Sequence, residues 1–157
     1  NPAVTLAVYL RGKLPAGDVA PYMVAQVLGA TIGAYLSYMF LDKTFAPAPA
    51  ATSTTMTTLL VEALYTFLLC LTVLNAATAK ATSGNSFYGL AIGFSIVLVS
   101  FAGGPISGGA FNPAIGTGPT IVNALVGGGA VAGLSRPPPR CCRPCGRGRR
   151  RRPDAQG

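Results

Sequence analysis

The chain has 157 residues, 50% of them hydrophobic and only 10% charged, with a mean hydropathy of +0.49. Soluble domains carry about 25% charged residues, so this is the composition of a membrane protein. With no histidine and only four acids beside a formal charge of +8, general-base and metal chemistry have few carriers, which weighs against an enzyme and leaves no cofactor or metal site expected.

Asn1-Pro2-Ala3 opens the chain, and Asn112-Pro113-Ala114 repeats the tripeptide. Asparagine is a preferred helix N-cap, and proline at the first helical position loses nothing, because its missing N–H would be unpaired anyway. Each copy therefore predicts a helix start, and two copies suggest an internal repeat. Residues 1–10 form a short apolar helix pattern, well below the roughly 20 residues that span a bilayer. Residues 11–18 are polar, with Pro15 and Gly17 as breakers. Residues 21–41 are the first full-length span, in which Ala25, Gly29 and Gly33 make a small-residue face suited to close helix packing. Residues 42–55 form a loop, residues 56–78 a second span, and residues 75–85 a polar connection carrying Lys80. Residues 86–102 are a third span, with Gly89 and Gly93 again four apart. The glycine-rich stretch 103–110 is predicted to be non-helical and therefore buried in protein or lining a water-filled cavity. A second short helix is predicted over 113–123.

Placing residue 11 on the cytoplasmic side puts Arg11, Lys13 and Lys80 inside and Lys43 outside, in agreement with the positive-inside rule. Beyond residue 124 the pattern degrades. Residues 136–157 hold eight of the twelve basic residues in a Pro/Arg/Cys run without helical period. This tail reads as a polybasic lipid-attracting segment, as a weak zinc site at Cys142 and Cys145, or as a frameshift, and the frameshift is favoured. The division is thus 1–135, a membrane domain, and 136–157, a tail expected to be disordered or frameshifted. With no initiator Met and no leader, the chain is expected to be a fragment.

Residues 1–125 resemble the aquaporin (major intrinsic protein) family. The matching pieces are Asn1-Pro2-Ala3-Val4-Thr5, Ala25-Gln26-x-x-Gly29-Ala30, Glu62-x-x-x-Thr66-Phe67, Leu90-Ala91-Ile92-Gly93, and Ser107 through Ala114 followed by Gly118-Pro119. The resemblance implies an all-α membrane protein, an inverted repeat with two half-helices, in which spans one and two are missing and span six is missing or scrambled. It implies a passive channel for water and small neutral solutes, in a homotetramer that is multi-pass in the cell membrane, with no nucleic-acid partner. The alternative is a non-conducting truncated product.

On this plan the half-helices meet near the midplane, their positive dipole ends facing the pore centre. Asn1 and Asn112 cap their helices with the carbonyl oxygen and keep the amide free for water. The resemblance implies a ladder of pore-facing carbonyls at Gly108, Gly109, Ala110 and Phe111. It also implies loop support by Glu62, through hydrogen bonds to the loop before the second tripeptide, with a similar scaffolding role for Gln26. The filter positions are Ser100, Gly109 and Ile115, where many family members have histidine at the first and arginine at the last. Gly116 stands where glycerol facilitators usually have aspartate. Ser100 and Ile115 imply a wide constriction without fixed charge, open to solutes such as glycerol or ammonia besides water.

Overall fold

A computed structural model of the chain describes residues 1–127. The tail at 136–157, and with it the boundary at 135, lies outside the described residues. Among the described residues five α-helices follow one another: α1 Pro2–Leu10, α2 Ala16–Leu41, α3 Thr55–Val73, α4 Tyr88–Ser107 and α5 Pro113–Val122. A π-helical turn, Leu74–Thr78, extends α3, and another, Asn123–Gly127, extends α5.

The ends of the helices follow from local chemistry. Asn1 Oδ1 accepts from the Ala3 N–H at 3.1 Å, and Asn112 Oδ1 accepts from the Ala114 N–H at 3.0 Å, each with proline next in sequence. Thr54 caps α3 through a 3.1 Å hydrogen bond from the Thr57 N–H. Asp42, in the left-handed region at φ 51°, closes α2 with its N–H on the Tyr38 carbonyl. Gly108, at φ 92°, ends α4 in the same way on Gly104, and glycine takes that conformation without a Cβ penalty.

Among the described residues, three segments are long and apolar enough to cross a membrane: Ala16–Leu41, Thr55–Thr78 and Tyr88–Ser107. At 1.5 Å per residue the 20 residues of α4 span about 30 Å, the thickness of a bilayer's hydrocarbon core. α1 and α5, of 9 and 10 residues, reach only about half that distance.

Two boundaries expected from the sequence are corrected. The first span begins at Ala16 rather than residue 21, with Pro15 before it, Asp18 in the first turn and Pro21 inside the helix. A carboxylate there complements the helix dipole, and Pro21 sacrifices a single backbone bond. The glycine-rich stretch is helical through Ser107, with Pro105 inside α4, so only the segment between α4 and α5 is irregular. Glycine and proline are more frequent in membrane helices than in soluble ones.

α2 packs on α5, and α3 packs on α4. α1 bridges the two pairs through contacts with α2, α3 and α5. The span that follows the first short helix thus holds the second short helix. Close approach is set by Gly118 of α5, where a Cβ would lie 2.7 Å from the Ala30 carbonyl carbon, and by Gly103, where it would lie 2.5 Å from the Tyr65 ring. The predicted small-residue faces are not those contacts. A Cβ on Gly29, Gly33, Gly89 or Gly93 meets nothing within 4 Å among the described residues. Four-residue spacing identifies a helix face, not what lies against it. The buried residues, among them Leu69, Val99, Phe111 and Ala114, gather at the meeting of the short helices. Large apolar side chains along the spans, such as Phe40 and Phe101, point outward and are 82% exposed.

Candidate functional site

The two tripeptides meet. Asn1 Nδ2 donates to the carbonyl of Phe111, the residue before Asn112, at 3.0 Å. Thr5, one turn into α1, donates its N–H and hydroxyl to the Asn1 carbonyl at 3.0 and 3.2 Å. Gln26 of α2 donates from Nε2 to the Thr5 hydroxyl at 2.7 Å, while its Oε1 is buried without a partner among the described residues. The N-terminus of α1 is therefore fixed from α2 on one side and from the Phe111 loop on the other.

That loop is held as firmly. Glu62 of α3 accepts from the Ala110 N–H through Oε1 at 3.2 Å and from the Phe111 N–H through Oε2 at 2.7 Å. These bonds keep Phe111 in the left-handed region at φ 42°, uncommon for a residue with a Cβ. Its ring meets Tyr65 edge-on, with centroids 5.6 Å apart and an interplanar angle of 83°. Ser107 Oγ accepts from the Gly109 N–H at 3.2 Å. The loop between α2 and α3 lies across the end of α4, where the Ile106 carbonyl accepts from the Ala50 N–H at 3.1 Å and the Ser53 hydroxyl at 2.8 Å. Those bonds satisfy a carbonyl that the end of the helix leaves without an intrahelical partner.

A cavity of about 660 Å³ lies at this junction. It brings together Asn1, Ser100, Gly109, Ala110, Phe111, Asn112, Ile115 and Gln26. Of the residues singled out in the sequence, Pro2, Ala3, Pro113, Ala114, Glu62 and Gly108 do not line it. Gly108 instead abuts the preceding loop, since a Cβ on it would lie 2.5 Å from the Ala48 carbonyl oxygen. Glu62 stands behind the loop it holds.

Most of the remaining lining is apolar: Val4 and Val8, Leu69 and Val73, Ile92, Ile96 and Val99. The sequence reading missed these. Their signal is the four-residue spacing Val4/Val8, Leu69/Val73 and Ile92/Ile96/Ser100, one stripe on each of three helices. Among the described residues no Asp, Glu, Lys or Arg side chain lines the cavity. Its fixed electrostatics are the N-termini of α1 and α5, each equivalent to about half a positive charge.

The two asparagines differ. The expectation of a free amide is corrected at Asn1, where one amide hydrogen is engaged by the Phe111 carbonyl, a group otherwise assigned to the acceptor ladder. Asn112 uses its side-chain oxygen for capping, and its Nδ2 has no partner among the described residues. Chemically the site offers a few amide and hydroxyl groups within a largely apolar cavity without charged side chains among the described residues.

Comparison with known proteins finds relatives across the described residues. The family described as major intrinsic protein matches residues 1–127. The chain is 34% identical over 148 residues to Aquaporin Z of Bradyrhizobium diazoefficiens, covering 85% of this chain and 59% of that one. It is 36% identical over 125 residues to Aquaporin NIP1-1 of Zea mays, covering 78% and 44%. It is also similar to the glycerol uptake facilitator protein of Streptococcus pneumoniae, at 33% identity over 139 residues, covering 80% and 58%. The chain spans about half the length of these curated relatives.

Proposed function

The chain belongs to the major intrinsic protein family and is an integral membrane protein, and from that premise we propose that it forms the central part of a passive channel for water and small neutral solutes. The observation that carries this reading is the cavity where both Asn-Pro-Ala tripeptides converge. A molecule crossing it exchanges bulk hydration for the Asn112 amide, the Ser100 hydroxyl and backbone carbonyls of the Gly109–Phe111 loop. Thr5, Tyr22 and Gln26 add polar atoms, and the apolar side chains of α1, α3 and α4 line the rest of the wall and supply no competing hydrogen bonds. A cation loses hydration there and meets two positive helix ends, whereas a neutral molecule meets no comparable barrier.

Selectivity is assigned to Ser100, Gly109 and Ile115, which line one cavity and bring neither charge nor bulk like that of arginine. Uncharged solutes of glycerol or ammonia size therefore pass along with water. The similarity to a glycerol uptake facilitator supports this breadth. Residence in the cell membrane and assembly as a homotetramer belong to the same proposal. The test is stopped-flow permeability of liposomes carrying the complete gene product. Water flux without uptake of glycerol, urea or ammonia would refute the wide filter, and absence of both fluxes would refute the channel.

A further inference from the structure

A second cavity, about 830 Å³, adjoins the first and shares Val8 with it. Its chemistry is different. Lys13 and Lys80, two of the four cations among the described residues, line it together with Ser83 and Asn85. No carboxylate among the described residues does so.

The convergence is built into the backbone. Gly12, at φ 72°, ends α1 in a Schellman arrangement: its N–H reaches the Tyr9 carbonyl at 2.8 Å, and the Lys13 N–H reaches Val8 at 3.1 Å. That fixes Lys13 at the rim. Lys80 opens a 3₁₀ turn, Lys80–Thr82, tied to the π-helical turn after α3. The ties are the Thr82 hydroxyl on the Asn75 carbonyl at 2.7 Å and Asn85 Nδ2 on the Ala76 carbonyl at 2.8 Å. Both lysines are exposed on this one concave surface, so an anion bound there meets two ammonium groups at once. The cavity's volume lies within the range of ligand sites, about 300–1,000 Å³.

We propose that this cavity binds a phosphate-bearing anion, with Lys13 and Lys80 as its charge partners and Ser83 and Asn85 at its polar wall. Lysine suits phosphate as a point charge, and the anionic oxygens of one phosphate group can face two ammonium groups together. The source is either a lipid headgroup, since both lysines belong to the same membrane face, or a free phosphate.

The experiment uses the complete gene product in nanodiscs and follows its thermal midpoint, a readout independent of conduction. One arm titrates inorganic phosphate in phosphatidylcholine discs. The other replaces part of the phosphatidylcholine by phosphatidylglycerol. Wild type is expected to be stabilised saturably in at least one arm, the phosphate arm marking a free ion and the phosphatidylglycerol arm alone a headgroup. Lys13→Gln with Lys80→Gln should raise the half-saturating concentration at least about tenfold, since two charge-assisted contacts are lost. The double arginine variant should stay near wild type. Stabilisation in neither arm, or a double glutamine variant that responds like wild type, would overturn the site.

Discussion

Asn1 and Asn112 are the same residue in the same motif, yet they are bonded differently. Each caps a short helix, which is worth about 0.5–2 kcal/mol. Asn1 also donates to Phe111, and a net hydrogen bond adds about 0.5–1.5 kcal/mol. Asn1→Ala should therefore destabilise the complete gene product by about one hydrogen bond more than Asn112→Ala, measured as the difference in thermal midpoint in detergent. Equal losses would mean the Asn1–Phe111 contact contributes nothing. Glu62 is the other residue whose bonding is decisive, because its two oxygens hold two consecutive N–H groups of a strained loop. Glu62→Gln keeps one acceptor and turns an amide NH₂ toward the second N–H. The expected cost is about 1–3 kcal/mol, with a parallel fall in water permeability, and Glu62→Ala should be worse on both measures.

At the scale of elements, the ends of the short helices were legible in the sequence because Asn-Pro carries its own capping chemistry. The interior prolines were not: Pro21 and Pro105 break helices in water, but within apolar spans the surrounding helix persists. Neither was the cavity wall. In a soluble helix a stripe of apolar residues marks the buried face, but lipid is as apolar as a core, so Ile92 and Ile96 resemble their outward-facing neighbours in sequence. Which glycines mattered was hidden for a related reason, since a contact depends on the partner helix. The α2–α5 seam gives a sharp test. A Cβ on Gly118 would lie 2.7 Å from Ala30 backbone, whereas on Gly116 its nearest neighbour is 3.9 Å away, ordinary contact. Gly116→Ala should be neutral or gain up to about 1 kcal/mol of helix stability. Gly118→Ala should lose about 1–3 kcal/mol through overpacking and shift α5 from its seat, lowering permeability as well as the thermal midpoint. If both variants behaved alike, α2 and α5 would not approach as closely as this.

For the molecule as a whole, the decisive property is that two short helices far apart in the sequence bring their N-termini to one cavity with no Asp, Glu, Lys or Arg side chain in its lining among the described residues. An uncharged passage alone admits water. In the proposed channel, excluding protons and other cations calls for a positive potential, and the two helix ends supply roughly half a charge each. Asn112→Asp tests this directly, because aspartate caps a helix about as well as asparagine, so α5 should still form. The added carboxylate would sit at the cavity and cancel the field there. A unit charge about 4 Å away is worth on the order of 4 kcal/mol at an intermediate dielectric, and 1.4 kcal/mol is tenfold in rate. Liposomes carrying the variant should therefore lose a pH gradient or leak sodium at least about tenfold faster than wild type, while osmotic water permeability changes by no more than about twofold. A variant that conducts water and stays tight to cations would show that dehydration by the apolar wall, rather than the converging helix ends, is what keeps ions out.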